Sequence, residues 1–159
     1  MIATIKPDFA ANIESEKTAV AAFLKILQEE QETLVRGEVD PLTDFAQQKT
    51  ILVKQLSDYA EARNDFLRSQ GLSPDRKGME EWLKQHPSNA KILSAWKDLM
   101  ELGQSVQQIN QTNGVLINSR LRYNQKALSL LQSAIQSVDL YGPDGQSSHL
   151  GTGRNLGTV

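Results

Sequence analysis

The residues best equipped for chemistry in this 159-residue chain are two histidines, His86 and His149, and the acidic run "QEEQE" at 28–32. Phosphotransfer by a helical bundle needs an exposed histidine in mid-helix. His86 instead sits in the Pro-containing break "HPSN", and His149 lies near the C-terminal end. Both read as solvated loop histidines. Di-metal bundles use Glu-x-x-His pairs on facing helices, and Glu29, Glu30 and Glu32 have no such histidine; they read as a solvated charged face. There is no cysteine, which removes thiolate metal sites, disulfides and a Cys nucleophile. No glycine-rich phosphate loop follows a strand, because no strand pattern exists. The reading is of a protein that is not an enzyme and uses no cofactor or metal.

Charge points the same way. A net charge of −2 exerts no pull toward nucleic acid or anionic lipid. Residues 88–138 hold five Lys/Arg against two Asp/Glu, far less concentrated than in nucleic-acid binders. "MIATIKPDFAANIESEK" lacks the apolar core of a signal peptide. No run approaches the roughly 18 apolar residues of a membrane span. A cytoplasmic protein without nucleic-acid partners or stable membrane insertion is expected.

What positions the side chains is helix throughout. From about Phe9 to Arg36, Ile13, Val20, Leu27 and Leu34 recur at sevens, with Phe23 and Leu24 on the same face. Gly37 marks a stop. Asp40 suits an N-cap and Pro41 a first helical position. The second helix carries Phe45, Leu52, Tyr59 and Phe66 at sevens, until Gly71, Pro74 and Gly78 interrupt it. "MEEWLKQ" reads as one or two helical turns covering a bundle end, with Trp82 and Leu83 inward. The last helix, about Ser88 to Val138, would run roughly 75 Å. Ile92, Trp96, Leu99, Gly103 and Val106 keep coiled-coil spacing, and the register then meets Asn110, Asn113 and Asn124. The expected fold is all-α: an elongated antiparallel bundle or coiled coil of three long helices, with a helical domain over 1–138 and a flexible C-terminal tail over 139–159.

Residues 102–119, "LGQSVQQINQTNGVLINS", carry no charge, and ten of the eighteen are Gln, Asn, Ser or Thr. Gly114 inside a helix costs about 1 kcal/mol relative to Ala. Two readings stand side by side. Either Asn110, Asn113 and Asn124 fix register within the bundle seam, or amides and apolar neighbours form a groove for another chain's helix.

Two stretches resemble a known family. "INQTNGVLINSRLRYNQKALSLL" (109–131) resembles the Asn-Gln-x-Asn-Gly signature of FlgN flagellar export chaperones and its amphipathic continuation. "LYGPDGQSS" (140–148) is similar to the Leu-Tyr-Gly-x-x-Gly segment that opens that family's tail. "LQEEQETL" (27–34) is similar to its first helix but less diagnostic. The resemblance implies a chaperone that binds terminal helical segments of hook-associated, hook–filament junction proteins. It would prevent their premature assembly and deliver them to the flagellar type III export gate. It further implies substrate contacts by Val106, Ile109, Asn110, Asn113, Leu116, Ile117, Leu128, Leu131 and Ile135, and export-apparatus docking by Leu140, Tyr141 and Gly142. With Pro143, five glycines and four Ser/Thr, residues 142–159 read as too flexible to fold alone. The competing reading is a structural coiled-coil adaptor or a homo-oligomeric bundle.

Overall fold

The computed structural model describes residues 9–140, with side chains described through 136. It is helical, with no strand among the described residues: α1 (Phe9–Arg36), α2 (Leu42–Ser69), α3 (Arg76–Gln85) and α4 (Ala90–Leu140). Four helices therefore replace the three expected, because "MEEWLKQ" is the body of a full ten-residue helix. Of the tail expected over 139–159, residues 139 and 140 belong to α4 and the rest lies outside the described residues. α4 is continuous through Gly114. The chain divides into two compact units between Ile117 and Asn118.

The first unit is an up–down–up arrangement. Glu16 pairs with Arg63 and Glu30 with Lys49, so α2 runs antiparallel to α1. Lys17 meets Asp98, and Asn113 meets Leu27, so α4 runs parallel to α1. Each turn has a local cause. Gly37 and Gly71 have φ of 76° and 72°, which costs glycine nothing. At Gly37 the N–H groups of Gly37 and Glu38 reach the Leu34 and Thr33 carbonyls; Gly71 and Leu72 do the same with Arg68 and Leu67. Both are Schellman endings.

The start of α2 departs from expectation. Pro41, not Asp40, occupies the N-cap, and no side chain caps the helix. The Leu42 N–H bonds the Val39 carbonyl, so a turn delays the helix by one residue. At α3, Asp75 takes the capping role and accepts from the Gly78 N–H at 2.9 Å. That bond and the Ser73 hydroxyl hold the Asp75 carboxyl below its ordinary range. Gly78 does more than interrupt: it is buried within α3, where a Cβ would lie 1.8 Å from the Ser73 carbonyl oxygen.

The apolar core gathers where α3 closes the first unit. Ile13, Leu67, Met79, Trp82, Ile92, Ala95, Trp96 and Leu99 are buried together. Phe9 stacks on Phe66 at 3.9 Å, and both meet the Trp82 edge. Trp82 and Leu83 do point inward, as their spacing implies. His86 is not the solvated histidine expected. Its ring stacks on Trp82 at 4.2 Å, and its Nδ1 lies 2.9 Å from the Trp82 carbonyl oxygen. A carbonyl only accepts, so Nδ1 carries the proton.

Candidate functional site

Two polar clusters cross the first unit. In one, the Glu16 carboxylate is buried on α1 and bonded by Arg63, whose guanidinium lies 5.3 Å above the Trp96 ring centroid. Burial pushes the Glu16 carboxyl above its ordinary value, although Arg63 opposes the shift by hydrogen bonding and charge. In the other, Glu30 is only 2% exposed, so the solvated face read from "QEEQE" holds for Glu29 and Glu32 but not for Glu30. Lys49 of α2 approaches Glu30 at 2.7 Å, and the Asn113 amide of α4 donates to it at 3.0 Å. The same amide donates to the Leu27 carbonyl at 2.8 Å. This cluster ties α1, α2 and α4 together.

Asn113 of the expected contact set is enclosed by these partners. It is 1% exposed and its donors are used within the first unit. Of the three asparagines read as seam candidates, only this one is buried; Asn110 and Asn124 face solvent. Val106, Ile109 and Leu116 are half-buried, and Ile117 is exposed. None of these clusters resembles a catalytic site. Their acids and bases are paired structurally, and no group of three or more metal-ligating side chains exists among the described residues.

The second unit, taken alone, is different. Every side chain from Asn118 to Gln136 is exposed except the half-exposed Arg120. Among them are Leu121, Tyr123, Leu128, Leu130, Leu131 and Ile135, each more than half exposed. At about 100° per residue, Leu121, Leu128, Leu131 and Ile135 fall within a stripe about 80° wide. Ala127, Ala134, Tyr123 and Leu130 extend this apolar surface around about half the circumference. Gln125, Ser129, Gln132, Ser133, Gln136, Arg122 and Lys126 occupy the other half. Such a helix is amphipathic, with its apolar half uncovered. Leu128, Leu131 and Ile135 of the expected contact set are brought together here. Leu121 also belongs to the stripe but was missed, although its spacing of seven from Leu128 was legible. The side chain of Leu140 and all of Tyr141 and Gly142 lie outside what the structure describes.

Among the described residues, no helix is long and apolar enough to cross a membrane. Comparison with known proteins places these features in context. The sequence profile of the FlgN protein family matches residues 2–149. A flagella synthesis protein FlgN from Salmonella typhimurium is 29% identical over 123 residues, covering 75% of this chain and 86% of that protein. Its counterpart from Escherichia coli is 28% identical over 144 residues, covering 87% and 89%. A crystal structure described as a FlgN flagella synthesis protein from Pseudomonas aeruginosa superposes with a TM-score of 0.63 at 28% identity. It covers 70% of this chain and 88% of that one.

Proposed function

Since the chain belongs to the FlgN family of flagella synthesis proteins, we propose that it is a cytoplasmic export chaperone for hook-associated proteins. It captures their terminal helical segments on α4, keeps them from assembling early, and delivers them to the flagellar type III export apparatus. The observation that carries this reading is the uncovered apolar half of residues 118–136. An exposed apolar face of this extent marks a partner surface or an aggregation hazard. Laying a partner's amphipathic helix along it uses anchors three, four and seven residues apart, the spacing of Leu121, Leu128, Leu131 and Ile135.

The energetics suit a carrier that must let go. Covering the exposed part of four Leu/Ile side chains contributes about 1–2 kcal/mol each. The stripe thus supplies about 4–8 kcal/mol before the costs of association are subtracted. Delivery is assigned to Leu140, Tyr141 and Gly142, at the end of α4 and just beyond it. Cargo and export machinery then engage different parts of one chain.

The test is co-elution of the purified chain with a hook-associated protein. Replacing Leu128 and Leu131 together by Glu abolishes the complex. The buried Trp82 and Trp96 keep their fluorescence, because both substitutions are on exposed positions. Undiminished binding by this double variant overturns the assignment of the surface.

A further inference from the structure

The two ends of α2 are held differently. Its last turn carries Leu67, the buried residue of this helix, which with Phe66 joins the apolar cluster around Trp82 and Trp96. Arg63, one turn earlier, is bonded to the buried Glu16, and Asn12 donates to the Tyr59 carbonyl at 3.4 Å. Ahead of Tyr59 no side chain of α2 is buried. Leu42, Phe45, Leu52 and Leu56 are half-buried, and Ile51 and Val53 are more than half exposed. A polar tie holds this stretch: the Lys49 ammonium meets the enclosed Glu30 carboxylate at 2.7 Å. The stretch is also a poor helix by itself. No side chain caps its start. Thr50, Ile51 and Val53 are β-branched, and the Thr50 hydroxyl bonds back to the Ala46 carbonyl at 2.9 Å. Neither Gly nor Pro lies between Leu42 and Ser69, so α2 has no joint about which one half could swing as a rod.

From this we propose that residues 42–58 form a strap that detaches from α1 and α4 and unwinds while the rest of the first unit stays folded, with the Lys49–Glu30 pair as its latch. Segments with few buried apolar contacts open at lower free energy than the core. Closing the strap takes the Glu30 carboxylate out of water, and the attraction of Lys49 roughly offsets that cost. The latch therefore holds the strap shut without making closure strongly favourable. Lys49 matters for what its loss leaves behind: an enclosed carboxylate facing no cation, which water relieves once the strap opens. The first unit thus has a firm end around Trp82 and an openable end around Glu30. This device goes beyond the helix-capture reading and does not depend on it.

Native-state amide hydrogen exchange on the full chain, read residue by residue by NMR, tests the proposal. Amides 46–56 are protected at least about tenfold less than amides 63–67. Ile92→Val weakens the core that both the closed and the strap-open states retain. It therefore lowers protection at 63–67 several-fold and leaves 46–56 unchanged. Lys49→Met lowers protection at 46–56 by about tenfold, and adding Glu30→Gln to it restores most of the loss, because no charge is then left enclosed. Lys54→Met, at an exposed position on the same helix, changes nothing. Equal protection of the two sets, or a parallel fall of both in Ile92→Val, means that α2 opens only with the whole unit and overturns the strap. No effect of Lys49→Met, or no recovery in the double variant, overturns the latch.

Discussion

Replacing Asn113 by Ala separates the two roles that the asparagines of α4 can play. The side chain makes two buried hydrogen bonds, at 2.8 Å to the Leu27 carbonyl and 3.0 Å to the Glu30 carboxylate. A bond to a charged group contributes about 1.5–3 kcal/mol and a neutral one about 0.5–1.5. Against this, the Asn113 Oδ1 atom is buried without a hydrogen-bond partner among the described residues, so its removal returns about 1 kcal/mol or slightly more. The expected net loss is about 2 kcal/mol. With a urea slope of about 1–3 kcal/mol per molar, the midpoint falls by about 1 M. Trp82 and Trp96, the only tryptophans, are both buried in the first unit and report its unfolding directly. Asn110→Ala is the control: Asn110 is exposed, and alanine is the better helix former, so its midpoint holds or rises slightly. Cargo affinity is unchanged in both variants. A midpoint unmoved by Asn113→Ala, or a binding loss larger than its stability loss, refutes the seam assignment.

Other outcomes follow from the same structure. The Glu16 carboxyl is raised by burial, so the folded state holds its proton more firmly than the unfolded chain does. Stability from this group is present below the ordinary value of 4.5 and is lost as pH rises through the raised value; Glu16→Gln flattens that descent in urea titrations across the window. Gly78→Ala destabilises α3 and its Trp82 packing, since a Cβ meets the Ser73 carbonyl oxygen, and thermal unfolding followed by fluorescence reads the loss. Gly114→Ala has the opposite sign, because open space surrounds the position and the helix gains up to about 1 kcal/mol. Tyr141→Ala preserves co-elution with cargo but lowers the amount of hook-associated protein exported to the medium; equal loss of both contradicts the division of labour.

Most of the places where the chain turns helical, and where it stops, were legible in the sequence because their causes are local; the start of α2 and the full length of α3 were not. Heptads at Ile13, Val20, Leu27 and Leu34 describe one face of α1 whatever lies opposite, and Gly37 ends it because only glycine accepts its φ without cost. The two quoted motifs likewise carried the family. Burial of polar groups was not legible in the same way. Glu29, Glu30 and Glu32 are alike in sequence, yet Glu30 alone meets Lys49 and Asn113. Asn110, Asn113 and Asn124 are alike too, and only Asn113 is enclosed. His86 looked like a loop residue until α3 brought Trp82 beneath its ring. Periodicity states which way a side chain points along its own helix. Whether that direction ends in water, in a carboxylate or in an aromatic face depends on residues tens of positions away, and only tertiary packing decides it.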